Sequence, residues 1–221
     1  MLVSVIIPTK NEPQRFVNDL VEKINFFLKG SRHEVLIIDK SKIPIKVKNA
    51  RVIRQKSNGL GNAILEGFSY ARGDVIVVMD SDGSHRPQDI PKLLEKMDIH
   101  DLVIGSRYVK GGKAKLSSAR KFISRFFCLL GMLILGLNIR DNMSGFIVVK
   151  KKVLQKIKLS PLGFKINLEL MYKSKKLGFR ICEVPIVFEK RKGGKSKATV
   201  KEAFNVIVYI LKLKLQTLLG N

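Results

Sequence analysis

Short runs of apolar residues alternate with amphipathic stretches through most of the chain. The runs are rich in Val and Ile, which is typical of strands that are buried on both faces of a sheet. Between the first two runs, Phe16, Leu20 and Ile24 recur at the spacing of one helical face. This alternation predicts an α/β fold, a mostly parallel sheet flanked by helices. The predicted strands span residues 2–7, 34–39, 50–54, 75–79, 101–105, 146–150 and 180–189.

The predicted helices are bounded by residues that favour helix ends. Pro13 stands in the first turn of the first helix, where a backbone N–H is not needed, and Gly30 follows its last turn. No full helix is expected between Asp39 and Arg51, because eleven residues that include Pro44 are near the minimum for a parallel crossover. The remaining helices are predicted at residues 60–71, 87–97, 118–137, 151–157, 167–177 and 199–219.

Two aspartates follow the apolar run at 75–79. Asp80 and Asp82 are separated by one serine and lie at the carboxyl end of a predicted strand, which is the edge where open α/β sheets bind ligands. Two unpaired carboxylates this close to each other repel strongly. A Mg²⁺ or Mn²⁺ ion that carries a phosphate group would relieve the repulsion, since both ions prefer oxygen ligands. The same residue types are common in solvated turns, so the spacing alone leaves a plain strand-to-turn junction open.

Positive charge is concentrated in the second half of the chain. The 221 residues carry a formal net charge of +24. Residues 1–106 contribute a net +3 and residues 107–221 a net +21. We therefore expect the second half to face an anionic partner, such as a phosphorylated ligand, acidic lipid headgroups or nucleic acid. Two basic, glycine-containing segments, 110–117 and 190–197, are predicted to be loops.

Nucleic acid is the least supported of these partners. The chain has no recognisable nucleic-acid-binding motif, and its basic loops contain few aromatic residues on which bases could stack. We therefore expect no nucleic-acid partner. Salt-sensitive binding to random DNA without binding to liposomes would contradict this expectation.

The cysteines and the amino terminus point to a reducing compartment. Cys128 and Cys182 are far apart, so neither a disulfide framework nor a zinc site is expected. A predicted strand begins at Leu2, without the basic and apolar regions of a secretory signal. No apolar run reaches the roughly 18–20 residues that span a bilayer.

Two short apolar stretches are candidates for contact with a membrane surface. Residues 126–137 lack a polar face and follow a basic segment, and residues 206–211 are followed by Lys212 and Lys214. A basic start and an apolar body suit an amphipathic helix that lies in the lipid interface. Packing in the core or at a dimer interface would give the same pattern.

Eight short motifs occur in a fixed order along the chain. Each is weak alone, but their order and spacing make the chain similar to the family 2 glycosyltransferases, and within that family to the polyprenyl-phosphate (dolichyl-phosphate) mannose synthases. The resemblance extends from about residue 3 to about residue 200. The motifs are Pro8-Thr9-Lys10-Asn11-Glu12, the strand end at Asp39, Gly59-Leu60-Gly61, Met79-Asp80-Ser81-Asp82, Gly105-Ser106-Arg107-Tyr108, Ser144-Gly145-Phe146, Glu183-Val184-Pro185 and Gly194-Lys195-Ser196-Lys197.

The resemblance implies a GT-A (Rossmann-like) fold and an inverting transfer of a hexose from a nucleotide-sugar to polyprenyl or dolichyl phosphate. It favours GDP-mannose as donor and Mg²⁺ or Mn²⁺ as cofactor; a UDP-sugar donor of the glucose type, or a membrane-bound relative of reduced activity, is the alternative. A soluble transferase acting on a saccharide is a further alternative, which the apolar stretch at 126–137 disfavours. The resemblance also implies a peripheral protein on the cytoplasmic face of a membrane, and it leaves a membrane-anchoring subunit open.

Two regions follow from this resemblance. The glycosyltransferase domain is expected to span residues 1–200, with an apolar interfacial helix near 118–138 within it. A C-terminal amphipathic helix, residues 201–221, is expected to associate with the membrane.

The resemblance assigns the donor and metal sites mainly to the first half of the chain. Asp80 and Asp82 would hold the divalent ion, and Ser84 would be a weaker third ligand at a position where many relatives carry Gln. Asp82 is also implied as a catalytic residue. The residues implied to bind the donor nucleotide are Pro8, Glu12, Asp39, Asp80, Arg191 and Lys197; Ser196 would assist the last two.

The acceptor phosphate is assigned to the basic half. The resemblance implies Arg107, also as a catalytic residue, together with Arg120 and Ser124, which are four residues apart and share one helical face. The phosphate nucleophile already lacks a proton, so a strong general base is not required. Cations that hold two anionic phosphates against each other are the greater need.

Three positions depart from the family pattern. Lys10 stands where relatives usually have Tyr, and Lys40 stands where a second Asp normally follows the first. Ile147 stands where Arg often follows Gly-Phe. These departures leave a divergent donor or a reduced activity open.

Overall fold

Nine strands lie within the residues that a computed structural model of the chain describes, which are 1–160, 165–191 and 200–218. The strands are β1 (Val3–Thr9), β2 (His33–Asp39), β3 (Arg51–Arg54), β4 (Val75–Val78), β5 (Leu102–Ser106), β6 (Lys113–Ala114), β7 (Ile147–Lys150), β8 (Ile181–Pro185) and β9 (Val187–Phe188).

Seven α-helices connect or flank these strands in the same described ranges. They are α1 (Gln14–Phe27), α2 (Leu60–Tyr70), α3 (Ile90–Leu94), α4 (Ser118–Leu135), α5 (Lys151–Lys156), α6 (Ile166–Lys176) and α7 (Val200–Leu218). Single 3₁₀ turns at Pro87–Asp89 and Glu95–Asp98 extend α3 at both ends.

Seven strands form one sheet in the order β3-β2-β1-β4-β7-β5-β8. Six of them are parallel to one another, and β7 is antiparallel to both of its neighbours. The sheet is therefore mostly parallel, as predicted, with one reversed strand near its middle. Because β7 runs the other way, its first residues lie at the edge where the parallel strands end. This brings the segment before Ile147 to the predicted ligand-binding edge.

The sheet is covered on both faces, which explains the continuous apolar runs. Val5 and Ile7 of β1 pack in one layer with α1, whereas Ile6, between them, packs in the other layer with α2 and α7. The short crossover between β2 and β3 contains no helix, as predicted. In its place Ile45 is buried in the layer that contains α1.

Two predicted element ends, those of β1 and α4, differ from the structure by two residues. β1 continues through Pro8, because β1 pairs with β4 only from Val3 to Ile6 and a missing N–H beyond that point breaks no bond of that ladder. α4 ends at Leu135 and not at residue 137, because Gly136 adopts a left-handed conformation (φ 63°).

The prediction of a single strand at 180–189 was wrong, because this segment forms two strands. β8 pairs with β5 as far as Pro185, which has no N–H to continue the ladder. The backbone of Ile186 then bonds to Ser106 on one side and to Lys113 on the other (both 2.9 Å). The chain thereby passes from the main sheet to a small parallel pair of β6 and β9. Residues 110–117, predicted to be only a loop, supply β6.

Candidate active site

The segment after β4 places two carboxylates at the carboxyl edge of the sheet. Asp82 is nearly buried, and its Oδ1 accepts hydrogen bonds from the hydroxyl and the backbone N–H of Ser84 (2.6 and 3.0 Å). Its Oδ2 lies 2.8 Å from Nε of Arg191, which follows β9. Ser84, predicted as a weak metal ligand, thus contacts Asp82 as a donor and orients that carboxylate.

Asp80 is more accessible, and its backbone is held by a histidine. The N–H of Asp80 donates to Nδ1 of His85 (3.0 Å), and the His85 ring is buried and stacked on Phe146 with centroids 5.0 Å apart. Burial lowers the pKa of His85, although the charges of Asp80 and Asp82 act in the opposite direction. A neutral imidazole is consistent with Nδ1 acting as an acceptor.

Gly145 leaves little room for a side chain next to Asp80. A Cβ at Gly145, which precedes β7, would lie 3.4 Å from Oδ2 of Asp80 and 3.3 Å from the ring of His85. A side chain larger than methyl would therefore enter the space in front of the Asp80 carboxylate. Glycine keeps this carboxylate open on the side that faces the segment before β7.

Glu12 adds a third acidic group to this edge. Burial and the negative charge of Asp82 raise the pKa of Glu12, and the positive charge of Arg191 opposes them. Glu12, Asp82 and Arg191 are therefore close enough to interact electrostatically. The structure brings these three predicted donor-site residues together.

The two aspartates fit a divalent ion that brings further ligands of its own. Within the described residues, no group of three or more His, Cys, Asp or Glu side chains is gathered closely enough to hold a metal ion by itself. Mg²⁺ keeps several ligand positions for water or phosphate oxygens and needs only one or two carboxylates. The carboxylate of Asp82 already attracts a cation, the Arg191 guanidinium, and Asp80 is open beside Gly145. The donor set therefore suits a metal–diphosphate complex.

Asp39, predicted to contact the nucleotide, is fully buried at the end of β2. Its carboxylate accepts hydrogen bonds from the Arg54 guanidinium and from the backbone N–H of Ser41 (2.9 Å). Arg54 is half exposed and also donates to the carbonyl of Ser41 (2.9 Å). Lys40 is turned towards the carbonyls of residues 55 and 56. The Arg54 guanidinium, and not the buried Asp39 carboxylate, is therefore the part of this pair that faces solvent. The sequence interpretation missed Arg54.

Of the predicted donor-binding residues Pro8 and Lys197, the structure describes only Pro8. Pro8 lies buried within β1 and pairs in register with Ile38. It thus helps to place the chain at the start of the loop that carries Glu12. Lys197 and Ser196 lie outside the described residues.

Arg107 lies just after β5 and is enclosed on three sides. Its Nε and Nη2 donate to the two oxygens of Asp141 (2.8 and 2.6 Å). The guanidinium carbon lies 5.0 Å from the ring centre of Tyr108 and 5.3 Å from that of Phe188. Burial lowers the pKa of Arg107, but the bonds and charge of Asp141 outweigh it and keep the pKa above its ordinary value. The side chain is permanently charged and fixed in position.

The other predicted acceptor residues lie on the first turns of α4. Ser124 is half-buried and lies near Tyr108. Arg120 is exposed and is not brought into a described contact with Arg107. Arg125 was missed: its guanidinium carbon lies 5.3 Å from the ring of Tyr108, the same ring that Arg107 covers. Tyr108 thus lies between Arg107 and the part of α4 that carries Ser124 and Arg125.

The rings of His85 and Phe188 lie between the Asp80 segment and Arg107. Phe188 of β9 contacts Arg107 on one side, and its centroid lies 5.4 Å from that of His85, in an edge-on arrangement, on the other. His85 in turn binds the backbone of Asp80. Asp80 and Arg107 are thus neighbours across a His85–Phe188 wall at one edge of the sheet.

α4 and α7 pack against each other and leave a common apolar surface uncovered. Cys128, Gly131 and Leu135 face inward from α4. The exposed residues are Phe122 (74%), Ile123, Phe126, Leu129 and Leu133 (72%) on α4, and Phe204, Val208, Leu211 and Leu215 on α7. We call these nine residues the α4–α7 surface. None of the helices in the described ranges is long and apolar enough to cross a membrane.

Comparison with known proteins places this arrangement in a family. Residues 4–158 match the model for glycosyl transferase family 2. The chain is 38% identical over 231 residues to a dolichol-phosphate mannosyltransferase of Pyrococcus furiosus, a match that covers 96% of this chain and 64% of that protein. It is 41% identical over 151 residues to an undecaprenyl-phosphate mannosyltransferase of Micrococcus luteus, covering 65% of this chain and 62% of that protein. The chain therefore spans less than two thirds of either relative.

Solved structures support the fold. Glucosyl-3-phosphoglycerate synthase from Mycobacterium tuberculosis, in complex with Mn²⁺, UDP-glucose and phosphoglyceric acid, superposes with a TM-score of 0.75 at 19% identity, covering 96% of this chain and 79% of that chain. This likeness confirms the predicted GT-A fold. The family model covers well over half of the chain and the P. furiosus relative matches nearly all of it, and we conclude that the chain belongs to glycosyl transferase family 2.

Proposed function

We propose that the protein is an inverting glycosyltransferase that moves a hexose, mannose from GDP-mannose, to a polyprenyl or dolichyl phosphate at a membrane surface. The observation that carries this proposal is the pairing of two sites across one wall. Asp80 and Asp82 stand on one side of His85 and Phe188, and the fixed cation of Arg107 stands on the other. Carboxylates suit a metal–diphosphate donor and a cation suits an anionic acceptor. The names of the mannosyltransferases that the chain matches support mannose as the sugar and a polyprenyl phosphate as the acceptor.

On the donor side, each acidic residue has a separate task. Asp80 and Asp82 would hold Mg²⁺ or Mn²⁺, and the bound ion would supply positive charge to offset that of the nucleoside diphosphate leaving group. Ser84 keeps the Asp82 carboxylate in one orientation through its two hydrogen bonds. Glu12 accepts hydrogen bonds from the nucleoside, and Arg191 leaves Asp82 to bind the diphosphate together with Lys197. Asp39 acts through Arg54, because its own carboxylate is buried.

On the acceptor side, the chain supplies position and no strong base. The attacking phosphate oxygen is already deprotonated, so the transfer needs only its alignment with the sugar carbon. Arg107 offers directional N–H groups from a fixed guanidinium, while Ser124 and Arg120 extend the site along α4. Arg125, beside Tyr108, adds a further positive charge.

The α4–α7 surface brings the acceptor to this site. Apolar side chains on two adjacent helices would enter the headgroup region, and the basic second half of the chain would attract anionic lipids. The phosphate of a polyprenyl phosphate lies at the same depth as the headgroups. We propose that it is a peripheral protein on the cytoplasmic face of a membrane, and we expect it to bind anionic vesicles.

A donor panel tests the proposal directly. We expect transfer from GDP-mannose to a short-chain polyprenyl phosphate with Mn²⁺ or Mg²⁺, and none in EDTA. GDP-glucose, UDP-mannose and UDP-glucose separate recognition of the base from recognition of the sugar. Transfer to a saccharide and to no polyprenyl phosphate would overturn the acceptor assignment, and undiminished transfer in EDTA would overturn the role of the metal.

A further inference from the structure

A second carboxylate stands behind Asp141. The backbone N–H groups of Arg140 and Asp141 donate to Oε2 and Oε1 of Glu183 (2.7 and 2.9 Å). Glu183 lies within β8, where it pairs in register with Ile104 of the neighbouring β5. The turn that carries Asp141 is therefore tied to the sheet through one side chain, 42 residues further along the chain.

A carboxylate suits this position for a chemical reason. Two adjacent N–H groups converge on Glu183, and an ionised carboxylate offers an acceptor oxygen to each. A glutamine of the same size has one acceptor oxygen, and its NH₂ group would face the second N–H as donor against donor. Glutamine therefore keeps the shape of the side chain and loses one of the two bonds.

Asp141 passes this restraint on to Arg107. The fully buried carboxylate of Asp141 accepts from the side chain of Arg107 at both oxygens and also from its backbone N–H (2.8 Å). These bonds use the edge of the guanidinium formed by Nε and Nη2. The opposite edge, with Nη1, makes no bond to Asp141 and is the edge that we assign to an anion. Because Asp141 offsets part of the positive charge of Arg107, the fixed direction of its N–H groups adds to that charge in binding the phosphate.

The same turn is joined to α4. The side-chain amide of Asn142 donates to the backbone carbonyl of Cys128 (2.8 Å). The thiol of Cys128 lies 3.8 Å from Oδ1 of Asp141. The turn is thus held on one side by the sheet and on the other by the helix that carries Ser124 and the outward apolar residues.

We propose that Glu183 and Asp141 are positioning residues that hold the Nη1 edge of Arg107 towards the acceptor phosphate. The inference rests on the proposed function, because it takes the ligand of Arg107 to be a lipid-linked or free phosphate monoester. Neither carboxylate touches the substrate. Glu183 fixes the turn, Asp141 fixes the guanidinium, and Arg107 contacts the phosphate.

The test compares Glu183→Gln with a matched glutamate. Glu34 also accepts a backbone N–H, from Arg72 (2.7 Å), together with the hydroxyl of Ser4 (2.6 Å), at the opposite edge of the sheet. We expect Glu183→Gln to raise the KM for short-chain polyprenyl phosphate about tenfold, with the donor KM and Mn²⁺ affinity within about twofold of wild type. Glu34→Gln is expected to leave all three quantities unchanged. Urea unfolding of both variants measures the accompanying change in stability.

The outcomes separate the two proposals. Equal losses for donor and acceptor, or a Glu183→Gln protein that behaves like Glu34→Gln, would overturn the positioning role. Calorimetric titration with polyprenyl phosphate and with inorganic phosphate distinguishes the source of the anion, and Glu183→Gln is expected to bind about tenfold more weakly whichever of the two the wild type binds. A wild-type protein that neither binds nor modifies any polyprenyl phosphate would overturn the proposed function itself.

Discussion

Two arginine–aspartate pairs stand close together in this protein and differ in nearly every physical respect. Arg107 and Asp141 make two side-chain bonds, and their side chains are 10% and 0% exposed. Arg191 and Asp82 make one contact of 2.8 Å, and their side chains are 45% and 11% exposed. The first pair is also anchored through the backbone of Arg107, whereas the second links the end of the β9 segment to the loop after β4.

The difference indicates which cation stays in place and which is exchanged. A buried pair whose hydrogen bonds are satisfied is costly to open, since separation leaves an unpaired charge in a medium of low dielectric constant. A half-exposed pair with a single contact contributes little to stability and opens readily. Arg107 therefore stays in place and acts from a fixed position. Arg191 is a counterion that a metal–diphosphate complex can replace at Asp82.

The largest effect is expected at Asp82. Asp82→Asn removes the charge that attracts both Arg191 and a divalent ion, so we expect transfer to fall by about 10³-fold and Mn²⁺ binding to be lost. Electron paramagnetic resonance of free Mn²⁺ measures binding without turnover. Asp98→Asn, at an exposed position, serves as the control. If Asp82→Asn retained its Mn²⁺ affinity, the Arg191–Asp82 pair would not be at the metal site.

The next largest effect is expected for the buried Arg107–Asp141 pair. Asp141→Asn leaves the Arg107 charge buried, and we expect it to lower the free energy of unfolding by about 3–5 kcal/mol in urea titrations. Replacing both partners, as in Arg107→Met with Asp141→Leu, is expected to recover most of the stability and none of the transfer. Arg191→Gln is expected to cost less than about 1 kcal/mol. If Asp141→Asn and Arg191→Gln lowered the free energy of unfolding by similar amounts, the two pairs would not differ as described.

The acceptor side of the comparison depends on the α4–α7 surface. Changing Phe122, Phe126 and Leu133 to Ser is expected to reduce co-sedimentation with anionic vesicles by about tenfold or more, because it removes apolar area that would enter the interface. Three equally apolar exposed residues elsewhere, Phe26, Ile43 and Ile99, provide a matched triple-Ser control. Equal loss in both triple variants would assign the binding to general hydrophobicity.

The smallest expected effect is a change in Mn²⁺ affinity, which tests the exchange of Arg191 at Asp82. Without donor, Arg191→Gln removes the competitor for Asp82, so we expect Mn²⁺ to bind about threefold to tenfold more tightly. The same variant is expected to bind the nucleotide-sugar more weakly, because the diphosphate loses a cation. Titrating Mn²⁺ with and without GDP-mannose separates the two changes. A weaker Mn²⁺ affinity in the absence of donor would contradict the exchange.

The sequence predicts those parts of the fold and site that depend on neighbouring residues. The apolar run at 75–79 and the two aspartates after it can be recognised together, because strand and carboxylates are local features. The direction of β7 could not be predicted, since alternation along a strand is the same in both directions. The break at Ile186 was hidden for a related reason: the apolar pattern continues while the hydrogen-bonding partner changes from β5 to β6.

Residues that join distant segments were missed. His85 has an ordinary sequence position after Asp82, and its contact with Phe146 depends on β7 lying beside β4. Asp141 and Arg107 are 34 residues apart, and no periodic pattern links them. The burial of Asp39 beneath Arg54 likewise requires β2 and β3 to be paired. Motif order identified the family, but only the folded chain shows which carboxylates hold cations and which remain open to ligands.

The reversed strand β7 has a consequence for the order in which the protein can assemble. β3, β2, β1 and β4 are complete once residue 78 has been synthesised, but β4 reaches its other partner only with residues 147–150. Until then the edge of an apolar strand is open to pairing with another chain. A nascent or truncated chain that ends before Ile147 is therefore expected to need a chaperone or to aggregate. Expression fragments of this protein should extend beyond Lys150.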